Sequence, residues 1–379
     1  MFGRIALVCL FGLAWNPLAS AQKQRKAKPA PAPAINENLR LAADHIAFLV
    51  QSTAAFEAPS ADQKTKVMTS LQALESLSHA AKTSSAVKSA VDPIMRYVSL
   101  DMPQKFQQIQ SVYRRGNYPH ARYILKQTVH YCVSCHAVNS PKNPGLFPFP
   151  APAPGSSELA RAEYFGGVRK FKEAMLAYEH ALIDRNFRTG RPEQWYNALE
   201  NLLAITIRMR NDAHVTLEMT SRLLEDGGLS VPQRDLLVTW RNSAKNWTRE
   251  KLRHHYAGGA AISKAQLLIE QGNALSAKGR SYGYVEYLRA MNMFNDLAIS
   301  GETEMLKSAG FRLAGEVSEK LQYVTAWMYP EAYYEACIRA LPHSTESQRC
   351  WDNFQTYRSH GFYTLWDQGT FDALREEAR

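Results

Sequence analysis

Cys132-Val133-Ser134-Cys135-His136 is the stretch whose residue types and spacing point most directly to a chemistry. Two thiols separated by two residues can add across the two vinyl groups of a porphyrin. An imidazole next in line then falls beneath the iron as its proximal ligand. The motif occurs once, so the expected cofactor is a single covalently attached haem c, held by Cys132, Cys135 and His136. A structural zinc site would need a second close pair of ligands, whereas Cys337 and Cys350 stand thirteen positions apart. A thioredoxin-like pair would need a strand–helix setting, and the flanking sequence has helical periodicity instead.

With His136 below the iron, function rests on the opposite face. A histidine or methionine there makes a low-spin electron carrier, and an open face binds a gas or peroxide. His45, His79, Met68, Met95 and Met102 are the candidates, with no protein ligand as the remaining option. In an up-and-down bundle the end of the fourth helix lies near the start of the first. That topology favours His45, which sits beside the apolar stripe near Ala42 and Leu49. His79 comes at the correct end of its helix but shares a polar face with Met68, Gln72 and Glu75. His120 is at the far end of the motif's helix, and His130 shares a helix with the haem attachment. No Ser/His/Asp or Cys/His pattern, Gly-rich phosphate loop or metalloprotease helix is present, so the chain reads as a haem-binding electron carrier rather than an enzyme.

A c-type haem needs export, and the amino terminus has the marks of it. Arg4 is a short basic region, Ile5 to Trp15 is an apolar run, Pro17 breaks it, and Ala19-Ser20-Ala21 is a small-x-small cleavage site. Residues 1–21 are therefore expected to be a cleaved signal peptide, placing the mature chain in a bacterial periplasm. The run is too short to span a bilayer, and no later segment reaches the length of a transmembrane helix. Cleavage removes Cys9 and leaves Cys337 and Cys350 as a disulfide pair in an oxidising compartment.

The formal net charge of +10 does not read as nucleic-acid affinity, because half of it comes from Arg4, Lys23, Arg25, Lys26 and Lys28. Residues 22–34 are basic and then alternate Pro and Ala, a composition that cannot bury a core and reads as a disordered tether.

Length and composition suggest two helical domains. Pro141, Pro144, Pro148, Pro150, Pro152 and Pro154 mark a stiff linker over residues 140–157. The first domain, residues 35–139, divides into helices at Asn36–Ala55, Ala61–Lys82, Ser85–Gly116 with a break at Pro103, and Pro119–His136. Leu39, Ala42, Ile46, Leu49 and Val50 line one face of the first helix. Val67, Leu71, Leu74 and Ser78 line the second, and Tyr123, Leu125, Val129 and Cys132 the last. Four such amphipathic helices bury their stripes as a bundle. With the haem motif closing the final helix, this domain resembles class II cytochromes c, the cytochrome c′ type. The resemblance covers roughly 100 residues and implies a four-helix bundle with its haem near the carboxyl end.

Residues 158–379 show a looser periodicity. Ala162, Phe165, Phe171, Ala174, Tyr178 and Ala181 resemble the small and aromatic positions of a tetratricopeptide repeat. Further helices are expected at Pro192–Met209, Ala213–Leu224, Gln233–Trp247, Ala260–Leu275, Tyr284–Leu297 and Glu304–Tyr323, without a constant 34-residue spacing. Pro342 separates a helix Glu331–Ala340 from a helix Thr345–His360, which the Cys337–Cys350 bridge would staple. The expected fold is thus all-α: a four-helix-bundle cytochrome-like domain followed by a TPR-like antiparallel helical array.

The leading functional expectation is a periplasmic monohaem c-type cytochrome passing single electrons, its helical domain docking a periplasmic or membrane redox protein. Two alternatives stand: a haem-based gas or redox sensor with an open distal site, and an assembly scaffold with a structural haem.

Overall fold

A computed structural model describes residues 37–52, 56–82, 93–122, 124–125, 128–129, 149, 151–168, 170–250, 258–321, 330–359 and 368–379. Among the described residues every regular element is a helix, so the fold is all-α. The first three are α1 (Glu37–Gln51), α2 (Ala61–Lys82) and α3 (Pro93–Arg114), followed by helical residues 118–122, 124–125 and 128–129. Helix α2 starts at a reciprocal cap. The Ser60 hydroxyl accepts from the Gln63 amide while the Gln63 side-chain carbonyl accepts from the Ser60 amide, two orphan donors satisfied at once. Helix α3 ends at Gly116, whose φ of +80° is the left-handed conformation that closes a helix. Asn117 then accepts from the His120 amide and opens the next helical stretch.

The expected break at Pro103 does not occur: α3 runs through it without interruption. A mid-helix proline removes one backbone hydrogen bond and crowds the preceding turn, a cost of roughly 3 kcal/mol. The helix persists because Met102, Phe106, Ile109 and Val112, on both sides of the proline, are all buried. Each such side chain contributes about 1.5–3 kcal/mol by leaving water.

The apolar stripes read from the sequence meet in one core. Ile46 and Leu49 of α1, Val67, Leu71 and Leu74 of α2, Phe106 and Ile109 of α3, and Leu125 and Val129 are packed together. Tyr123 and Cys132, expected on the same face, lie outside the described residues.

The remaining helices follow in order: α4 (Glu158–Gly167), α5 (Phe171–Ile183), α6 (Arg185–Gly190), α7 (Pro192–Ile205), α8 (Ala213–Glu225), α9 (Val231–Arg249), α10 (Gly258–Ser276), α11 (Tyr284–Ser300), α12 (Glu304–Lys320), α13 (Pro330–Ala340), α14 (Thr345–Ser359) and α15 (Gln368–Ala378). A five-residue π-helical turn, Thr206–Arg210, extends α7 and ends at Asn211 in the left-handed region. Successive helices pack on one another, as in α4 with α5, α8 with α9, α10 with α11 and α11 with α12. Ala162, Ala174, Tyr178 and Ala181, singled out as small and aromatic contact positions, are buried. Trp195 and Trp240 are fully buried anchors, and each indole satisfies its N–H on a carbonyl, Leu182 at 2.9 Å and Ser281 at 2.8 Å.

Late in the chain the helices approach through glycine. A Cβ on Gly310 of α12 would stand 2.6 Å from the Ala298 backbone nitrogen of α11. One on Gly315 would stand 2.6 Å from the buried Tyr334 ring of α13. A disulfide joins Cys337 on α13 to Cys350 on α14, with Cα atoms 6.3 Å apart. Both sulfurs are buried among Tyr334, Ile338, Trp351, Phe354 and Leu374.

Asn36–Arg379 forms one compact unit. The described bundle residues touch the array in two places. Helix α4 packs on α1, where Tyr164 and Val168 meet Ala47, and Arg122 pairs with Glu163 at 2.6 Å. Helix α13 packs on α3 and places Ala332 in the bundle core. Of the proline stretch, the Ala153 amide donates to the Gln51 side chain at 2.7 Å. Among the described residues no helix is long and apolar enough to cross a membrane.

Candidate functional site

Direction within the bundle follows from its aromatic end. Phe56, Tyr113 and Tyr118 stack edge to face and tilted, with ring centroids 5.3 and 4.9 Å apart, and Lys64 sits 5.6 Å over Tyr118. This end holds the turn between α1 and α2 and the turn after α3. The helical residues 118–122, 124–125 and 128–129 therefore run away from it, toward the end where α1 begins and α2 finishes. Val129 is buried in the same core as Ile46 and Leu49. Cys132 follows it by three residues in the sequence; Cys132, Cys135 and His136 lie outside the described residues.

Of the residues considered for the second face of an iron, the described structure separates the histidines sharply. His45 is half-buried on the α1 face turned toward α2, between Ile46 and the buried Ala43. Its Nδ1 lies 3.2 Å from the Ser70 hydroxyl of α2. Burial lowers its pKa below the ordinary histidine value, against an opposing pull from the neighbouring Asp44 carboxylate. The imidazole is thus favoured in its neutral form. His79 is 57 % exposed and stands 3.9 Å from Glu75, with its ring in solvent. Glu75 itself accepts from the side chains of Gln107 and Gln110 of α3 at 2.6 and 2.7 Å, which ties α2 to α3. His120 is exposed at the aromatic end, and in the sequence it precedes Cys132 by twelve residues.

The methionines divide differently. Met102 is buried in the core and Met68 packs at its margin. Met95 belongs to α3, and its side chain lies outside the described residues, as does His130.

Ser70 did not stand out in the sequence, and a signal for it was there. It shares the buried stripe of α2 with Val67, Leu71 and Leu74, and its side chain is buried. A buried hydroxyl on an apolar face needs a polar partner from the facing helix, and His45 supplies it.

A half-buried imidazole that stays neutral, with one ring nitrogen held by a hydrogen bond, matches what an axial iron ligand requires. Among the described residues no group of three or more His, Cys, Asp or Glu side chains is arranged to hold a bare metal ion. No family model, curated protein or solved structure matches this chain.

A second polar cluster lies in the array. Glu200 of α7 is only 3 % exposed. One of its carboxylate oxygens accepts from the Ser281 hydroxyl, and the other is buried without a hydrogen-bond partner among the described residues. Burial raises its pKa above the usual carboxylate value, with the Ser281 hydrogen bond and Arg280 acting in the opposite sense. The Tyr284 phenol nearby is pushed up by burial and by the Glu200 charge. The Ser281 hydrogen bond ties α7 to the turn at residues 280–283 that precedes α11.

Proposed function

We propose that this chain is a monohaem c-type cytochrome that transfers single electrons. Cys132 and Cys135 hold the porphyrin covalently and His136 binds the iron from one side. Bound there, the haem supplies a reversible one-electron couple. The bundle excludes water from one side of the site, and low polarity around the iron helps to set its potential. The helices from α4 onward serve as the docking surface for a periplasmic or membrane redox protein. Amino-terminal export places the chain in the periplasm, where the attachment chemistry and the Cys337–Cys350 bridge are both at home.

The observation that carries this reading is the Cys-x-x-Cys-His motif following directly on a helix whose last described side chains are buried in a helical bundle. The test is expression of the full chain in a bacterium able to mature c-type haem, followed by haem staining on a denaturing gel. A stained band at the mature size is expected, absent in Cys132→Ser and Cys135→Ser. His136→Ala is expected to lose reversible reduction while retaining its helical circular dichroism. Staining that survives the loss of both cysteines would refute the assignment.

A further inference from the structure

We infer that the outward face of α9, carried by Arg241, Lys245 and Arg249, is a docking surface for the anionic headgroups of a lipid membrane. This surface belongs to the described array and does not rest on the haem reading.

The helix sorts its own residues. Leu236, Trp240, Ser243 and Trp247 are buried where α9 packs on α8 and α11. With about 3.6 residues per turn, the opposite side carries Arg241, Lys245 and Arg249, a line about 12 Å long. Lys245 and Arg249 are exposed and Arg241 partly so. Val231, 83 % exposed, opens the same face at the helix start. No acidic residue occurs between 236 and 249. None of the three cations forms an ion pair with a described residue, whereas cations on the adjoining helices are matched. Arg222 of α8 pairs with Glu179 and Glu218, and Lys264 of α10 and Arg289 of α11 share Glu250. The carboxylates nearest in sequence are thereby committed, since Asp235 accepts from the Tyr282 hydroxyl at 2.9 Å. Arg234, on the same side, donates to the Leu224 and Asp226 backbone carbonyls and is not counted with the three.

Local stability does not account for this arrangement. The helix dipole favours Arg249 in the last turn, but Arg241 lies two turns earlier, and like charges four residues apart oppose each other. An anionic surface laid against the three side chains relieves that repulsion. A lipid surface fits better than an acidic protein patch. The cations run in a line along a convex helix edge, each on a long flexible stem, and Val231 extends the line with an apolar side chain suited to the headgroup boundary. Lys23, Arg25, Lys26 and Lys28, within a formal net charge of +10, add long-range attraction of the same sign. Among the described residues no helix is able to cross a bilayer, so contact through this face is peripheral.

The experiment sediments the exported protein, purified with its amino terminus confirmed by mass, with two kinds of vesicle: pure phosphatidylcholine, and phosphatidylcholine containing one third phosphatidylglycerol. Binding is expected to the anionic vesicles alone and should weaken at high salt. Arg241→Gln, Lys245→Gln and Arg249→Gln combined should lower the affinity roughly 100-fold, the usual scale for three basic residues at a charged surface, with helical circular dichroism unchanged. The single Lys245→Gln should lower it roughly 5-fold and carries the test if the triple variant does not fold. The same losses are expected in a protein whose Lys23, Arg25, Lys26 and Lys28 are also replaced by glutamine, which separates the α9 face from the amino-terminal charges. Equal binding to both vesicles overturns the inference, as does a triple variant that binds like the wild type. Binding to neither vesicle overturns it too, and points to an acidic protein as the partner of this face.

Discussion

Replacing Gly310 by alanine sets two opposed effects against each other. Alanine is favoured over glycine in a helix interior by about 1 kcal/mol, and Gly310 lies well inside α12. Against this, the new Cβ would meet the Ala298 nitrogen at 2.6 Å and the Ala298 Cα and Phe294 carbonyl oxygen at 3.0 Å. All three are backbone atoms of α11, so no rotamer change relieves the contact. The two helices must move apart by about the difference from an ordinary contact, and overpacking of this kind costs roughly 1–3 kcal/mol or more. Because the obstruction is backbone, the upper part of that range applies, and the net expectation is a loss of about 1–2 kcal/mol. Native-state hydrogen exchange reads this locally. Protection of α11 and α12 amides should fall about 5–30-fold, and the urea midpoint should drop. Gly259→Ala provides the contrast, since nothing lies within 4 Å of its Cβ position near the start of α10. That variant should be neutral or gain up to about 1 kcal/mol. A Gly310→Ala protein as well protected as the wild type would show that the α11–α12 approach is looser than described.

Three further outcomes are expected. Glu200 has a folded-state pKa above its unfolded value, so the native state pays nothing at low pH and carries a charged, desolvated carboxylate as pH rises through the raised pKa. Glu200→Gln should accordingly match the wild type in melting temperature below about pH 4.5 and exceed it increasingly above; a gap that ignores pH would remove this account. Reduction of Cys337–Cys350 opens a 13-residue crosslink and should cost about 2–3 kcal/mol, seen as a lower urea midpoint together with two maleimide-reactive thiols in the unfolded chain. The same thiols reacting without reductant would mean the bridge does not form. Glu75→Ala removes the carboxylate that accepts from Gln107 and Gln110, and should destabilise the bundle by roughly 1–3 kcal/mol while leaving the haem spectrum unchanged; an altered spectrum would place Glu75 at the iron.

The amino-acid sequence by itself determined much of the local order. Ala61–Lys82 is the helix read from its pattern, and Pro342 does divide α13 from α14. The reason is that caps, periodic apolar stripes and prolines act over a few residues, within reach of any reading of the chain. The proposed haem motif at 132–136 rests on a local signal of the same kind, five consecutive side chains. What tertiary structure decided are the matters in which distant segments compete. Pro103 reads as a helix break, yet burial of Met102 and Phe106 outweighs the lost hydrogen bond. The apolar stripe already sets His45 apart from His79 in the sequence, but only packing shows Ser70 facing His45 across the α1–α2 seam. Nothing local shows that α13 returns to α3 to place Ala332 in the bundle core. Contacts that close a chain across more than two hundred residues depend on the summed geometry of every helix between them, and no short pattern records that sum.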